Sequence, residues 1–274
     1  MSKLPVALQM YSVRDFMDKD LEGTIKKVAE IGYDGVEFAG TYGRTAAELK
    51  AICEKYGVKP ISAHVPYDEM KKDIEGVIKY YKELGCEYIV IPYLVPEYRP
   101  GTDGFAEVIE NAKKFGEVAA KNGLTLQYHN HDFEFVKLDG EYALDVLYST
   151  VPAEYLKTQI DTCWANVGGE DPAKYVLKYT GRAPTVHLKD FSGVKGENMY
   201  ALIGIDDKKD TKASNEQFSL RPCGSGCQNF EAIIDASKKA GAKWLIIEQD
   251  NASDGLTSLE CAEKSFNYIK GLNK

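Results

Sequence analysis

Short runs of β-branched and aliphatic residues alternate along this chain with longer stretches whose apolar positions recur every three to four residues. The runs predict strands at 6–10, 35–38, 59–63, 88–91, 125–128, 156–160, 185–188 and 244–247. Helical periodicity between them predicts helices over 20–31, 45–56, 69–84, 105–122, 172–178, 230–240 and 259–272. In the first, Leu21, Ile25, Val28, Ala29 and Ile31 fall mostly on one face. Gly32, Gly57, Gly85, Gly123 and Gly241 each stand between a helix and the next strand, where a chain leaving a helix adopts a left-handed conformation. Repeated β-α units predict a parallel sheet covered by helices. Eight such strands in 274 residues match the ~250 residues of an eight-fold barrel. The expectation is one α/β domain, a (β/α)8 TIM barrel over residues 1–274. Residues 190–228, rich in Gly, Lys, Asp and Asn, are long for a connection and are expected to hang over the barrel mouth.

Composition narrows the partners. Hydrophobic residues at 44% and charged residues at 28% suit a globular protein with a sizeable core. A net charge of -8 opposes binding to a phosphate backbone, so a nucleic-acid partner is disfavoured. The first residues, MSKLPVALQMYSVRD, lack a signal-peptide pattern, and no run approaches 18 apolar residues. A cytoplasmic, non-membrane protein is expected, with self-association into a homo-oligomer left open. The 6 cysteines are too sparse for a disulfide framework. Cys223 and Cys227, in CGSGC, lack the second pair or nearby histidine that zinc would want, so this reads as a glycine-rich loop carrying two thiols.

Chemistry concentrates at one end of the strands. All 4 histidines, His64, His129, His131 and His187, fall at or just past the C-terminal end of a predicted strand, the end where barrel active sites lie. Glu37, Asp161, Glu248 and Asp250 share that position. Carboxylates gathered after apolar strands need a counter-charge, and Lys189 with His187 offers little. A bound divalent ion supplies one; a metal-free salt-bridge network among Glu37, Asp161, His187, Lys189 and Glu248 is the alternative. Imidazole mixed with carboxylate suits Mn, Co, Zn, Mg or Fe in an open site.

The segments LQMYSVRD, YDGVEF, SAHV, LQYHNHDFEF, IDTCW, VHLKD and IIEQD, in this order and spacing, resemble the xylose-isomerase-like barrel superfamily of sugar phosphate isomerases and epimerases. That superfamily also contains inosose dehydratase and endonuclease IV. The resemblance implies a catalytic divalent metal held by one residue from each of strands five to eight, which carries Asp161, His187 and Glu248 over as ligands. On strand five many relatives have a glutamate, whereas this chain reads Gln127-Tyr128-His129-Asn130-His131. His129 aligns with that glutamate and is taken as the fourth ligand, with Gln127 the runner-up. Losing the glutamate weakens a symmetric two-glutamate epimerisation, and the YHNH and EQD runs look like inosose dehydratase.

The implied chemistry is proton removal beside the carbonyl of a small sugar or polyol, giving an enediolate that a metal stabilises. Glu248 is the first candidate base, and His129 or His131 the partner acid or base. Glu37, His64, Lys189 and Trp164 are expected to bind or wall the substrate, and Tyr11 and Tyr93 to line the pocket. The leading expectation is a sugar or sugar phosphate isomerase or epimerase. The alternatives are a keto-inositol or keto-sugar dehydratase and a non-catalytic sugar-binding barrel.

Overall fold

A computed structural model describes residues 3–196 and 218–274. Eight strands close into a barrel: β1 Val6–Gln9, β2 Gly35–Ala39, β3 Lys59–His64, β4 Tyr88–Ile91, β5 Thr125–His129, β6 Lys157–Asp161, β7 Thr185–Leu188 and β8 Trp244–Ile247. Each pairs in parallel with its sequence neighbour, and β8 returns to β1. Helices follow the strands: α1 Leu21–Ile31, α2 Ala46–Tyr56, α3 Tyr67–Leu84, α4 Asp103–Lys121, α5 Ala143–Thr150, α6 Pro172–Lys178, α7 Phe230–Ala240 and α8 Ser258–Leu272. The expected (β/α)8 fold is the fold observed.

Local chemistry sets the helix ends. Asp20 caps α1 by accepting from the Gly23 amide, and Thr45 and Thr257 open α2 and α8 with reciprocal capping boxes to Glu48 and Glu260. Gly32 closes α1 at φ 113, a conformation that a Cβ would strain. Helix α4 needs a glycine for another reason: a Cβ on Gly116 would stand 2.1 Å from the Tyr155 carbonyl oxygen.

Four details depart from the sequence reading. Helix α5 was not expected, because this eight-residue segment ending in Tyr-Ser-Thr is short and has no side-chain cap at its start; Leu144, Leu147 and Tyr148 are nevertheless buried. Strand β6 starts and ends one residue later than expected, so that Asp161 ends it and also caps the short helix Thr162–Val167. Helix α3 starts at Tyr67 and breaks at Asp73, whose carboxylate accepts from the Gly76 amide. In the long segment after β7, Asp190–Ser192 pairs antiparallel with Ser219–Arg221. The expectation that this segment overhangs the mouth rests on residues 197–217, which lie outside the described residues.

Apolar residues of the outer strand faces and inner helix faces form the main core. Inside the barrel the layers differ. Ala7, Ile61, Tyr88, Trp244 and Ile246 form a separate apolar plug. Polar residues follow, Gln9 on β1, Gln127 on β5, Gln159 on β6 and Thr185 on β7, all fully buried, and then the acids and imidazoles. Strand alternation produces this order, since every second residue faces inward. No helix among the described residues is long and apolar enough to cross a membrane.

Candidate active site

The four histidines meet. His64, His129 and His187 have ring centroids 4.6 to 5.4 Å apart, and His131 lies 5.3 Å from His129. Donor atoms of His129, Asp161, His187 and Glu248 all lie within 4.8 Å of one another, and all four residues are buried. These are the four residues that the sequence proposed as ligands.

The groups beneath them fix their aim. His187 presents Nε2 to Glu37 Oε1 at 2.8 Å and Nδ1 to Glu248 Oε2 at 2.9 Å. Glu37 also accepts from Gln9 Nε2 and Gln159 Nε2, each at 2.8 Å, and lies 3.1 Å from His64 Nε2. Gln159 Oε1 in turn meets His64 Nε2 at 2.8 Å and His129 Nδ1 at 3.2 Å. His129 is thereby turned so that Nε2 faces Asp161 Oδ2 at 3.6 Å and Glu248 Oε2 at 4.0 Å. Lys189 Nζ, only 1% exposed, contacts Glu248 Oε2 at 2.9 Å, Asp250 Oδ2 at 3.0 Å and Asp161 Oδ2 at 3.3 Å.

Protonation follows from this packing. Burial opposes the charge on Glu37, but the imidazoles of His64 and His187 outweigh it and hold the carboxyl well below the usual range. Burial also opposes the charge on Glu248, but Lys189 and His187 keep it low. For His187, burial disfavours imidazolium, yet Glu37 and Glu248 push its pKa up to about 10. His129 and His131 go the other way: burial, reinforced by neighbouring His187 and Lys189 respectively, keeps them neutral. Burial raises Asp161, and lifts Asp250 to about 6, against the pull of Lys189.

This donor set fits a divalent ion. Two imidazoles and two carboxylates converge, and Asp161 Oδ2 is buried with no hydrogen bond, its nearest charge being the Lys189 ammonium. Among the described residues, the four buried carboxylates Glu37, Asp161, Glu248 and Asp250 have Lys189, His187 and His64 beside them, a site rich in negative charge.

A cavity of about 380 Å³ opens above, lined in part by Tyr11, His64, Tyr93, His131, Glu248 and Asp250. Glu37 and Trp164, expected to touch substrate, do not line it. Glu37 is sealed under the histidines, and Trp164 lies behind His131, their rings stacked at 5.3 Å. Gln127 lies one layer down, donating to the Thr158 carbonyl at 2.8 Å and Thr185 Oγ1 at 3.0 Å.

Three contributors escaped the sequence reading. Gln159 orients two histidines and Glu37; its signal was its place two residues before Asp161 on the same strand face. Asn130 bridges β5 to β6 through the Asp161 backbone. Glu134, buried, accepts from the Tyr128 hydroxyl at 2.5 Å and from the His131 amide at 2.8 Å, and burial lifts its pKa to about 8. It stands in a tight turn after β5, where no periodicity marks it.

A closed parallel barrel with its polar groups gathered at the strand C-termini defines the class: a (β/α)8 protein of enzyme type. The chain belongs to the xylose isomerase-like TIM barrel family, whose model matches residues 25–272. Among curated relatives, inosose dehydratase of Clostridium beijerinckii is 24% identical over 281 residues, covering 92% of this chain and 90% of the relative. Inosose dehydratase of Clostridium perfringens is 25% identical, covering 98% and 96%. Among solved structures, a sugar phosphate isomerase/epimerase from Parabacteroides distasonis superposes with TM-score 0.78 at 21% identity, covering 100% of this chain and 96% of that one. A probable 3-DHS dehydratase from Bacillus anthracis gives TM-score 0.70 at 11% identity, covering 97% and 99%. At these identities the structures establish the fold alone.

Proposed function

We propose that this chain is a divalent-metal-dependent lyase that dehydrates a keto-cyclitol or keto-sugar by removing the proton beside the carbonyl and expelling the β-hydroxyl as water. The observation that carries this reading is the convergence of His129, Asp161, His187 and Glu248 beneath a cavity of sugar size. These four would hold the ion, which supplies Lewis acidity toward the carbonyl and its developing negative charge. Glu37, hydrogen-bonded to His187 Nε2, fixes the ring and leaves Nδ1 facing the other donors.

Two features favour elimination over epimerisation. Strand β5 offers imidazole where a two-base epimerase needs a second carboxylate. The curated relatives matched over nearly the whole chain are named inosose dehydratase. Glu248 Oε2 is already engaged by His187 and Lys189, which makes His131 the better-placed proton carrier. His131 lines the cavity and is held neutral; it takes the proton from carbon and, as imidazolium, delivers it to the departing hydroxyl. Tyr11 and Tyr93 wall the ring faces of the substrate and limit water around it.

Incubating Mn2+-loaded protein with keto-inositols and keto-sugars in D2O tests the reaction. An ultraviolet-absorbing enone formed with loss of water is expected. Deuterium uptake at carbon without loss of water would replace the lyase with the isomerase or epimerase reading.

A further inference from the structure

Lys189 lines the cavity, and its ammonium lies within ion-pair distance of three carboxylate oxygens: Asp161 Oδ2, Glu248 Oε2 and Asp250 Oδ2, at 3.3, 2.9 and 3.0 Å. Two of those oxygens are the same atoms that face His129 Nε2 and, for Glu248, His187 Nδ1. They are therefore the oxygens that an ion bound by the four donors would use. The third partner, Asp250, is outside that donor set.

From this overlap we propose that Lys189 is a resident counter-cation, which holds Asp161 and Glu248 together in the metal-free protein and must retire toward Asp250 when a divalent ion enters. It is a positioning residue that sets metal affinity. The inference rests on the metal site proposed above.

The physical argument is competition between charges. An ammonium about 3 Å from two ligand oxygens and a divalent ion on those oxygens are mutually repulsive at close range, in a buried site where water screens little. Lys189 cannot swing into solvent without leaving its buried position beside the Trp164 ring, 5.4 Å away. Asp250 gives it a perch that keeps the charge paired. The protein thus avoids stranding bare carboxylates before the ion arrives, at the cost of weaker ion binding.

Calorimetric titration of chelator-stripped proteins with Mn2+ alone tests this. Lys189→Met should bind Mn2+ at least about tenfold more tightly than the wild type, while its metal-free form melts at lower temperature. Asp250→Asn should bind more weakly, and in the Lys189→Met background the same change should lose most of its effect, because Asp250 acts through the lysine. If Lys189→Met folds but binds Mn2+ no more tightly than wild type, the counter-cation role is overturned while the metal site stands. If it fails to fold, an undiminished Asp250→Asn effect in a Lys189→Gln background overturns it. If neither the wild type nor any lysine variant holds Mn2+, the metal site itself falls, and this role with it.

Discussion

His187 sits between two anions, Glu37 and Glu248, and nothing in its immediate sequence says so. VHLKD places it on a strand end; only folding brings β2 and β8 to either side of its ring. Its pKa near 10 gives a pH dependence with a definite sign. In metal-free protein the stability it contributes is complete below the unfolded value of about 6.5 and is lost as pH rises from there toward 10. Thermal melts of chelator-treated protein should show Tm falling over that window, and His187→Asn should flatten the slope; parallel slopes would reject the assignment. Strand five yields a second residue-level prediction. His129→Ala should sharply reduce Mn2+ content with a small change in stability. Gln127→Ala should keep the ion but cost about 1–3 kcal/mol, because it removes one hydrogen bond each from the buried Thr185 hydroxyl and the Thr158 carbonyl. The reverse ranking in metal analysis and denaturant melts would move the ligand down one layer.

At the scale of elements, the barrel strands and seven of the eight outer helices were legible because each repeats one period over many residues and ends on a cap or glycine. What the pattern missed was short and unmarked: α5 and the turn that carries Glu134 have no side-chain cap, whereas the still shorter α6 opens on the Asp171 cap and Pro172. The same holds for the loop after β7. CGSGC reads as a glycine-rich loop carrying two thiols, and its organiser is Asp190, whose carboxylate accepts from the amides of Phe191, Gly224, Gly226 and Gln228. Asp190→Ala should therefore destabilise the protein by about 2–4 kcal/mol. It should also make buried Cys223 react with a thiol reagent, alongside Cys227, already exposed. An unchanged count of reactive thiols would show that the loop holds without its central acceptor.

For the whole molecule, the buried negative charge of the site implies a measurable linkage between ion binding and folding. Mn2+ at a hundred times its dissociation constant should stabilise the fold by about 2.7 kcal/mol, raising Tm by several degrees, and a chelator should reverse it. Asp161→Ala should abolish that response, while its metal-free melt shows it still folds. A response that survives would place the ion elsewhere.

The sequence by itself determined the eight-fold alternation, the helix ends and the gathering of every histidine at one end of the strands. These follow from period, caps and strand polarity, all local in the chain. Tertiary structure decided which nitrogen of each imidazole faces the donor cluster, that Glu37 and Trp164 stand behind the cavity wall, and that Lys189 faces three carboxylates. Those outcomes depend on the angular position of one strand around the barrel relative to another. That angle is set by closing eight strands into a ring, and no single segment contains it.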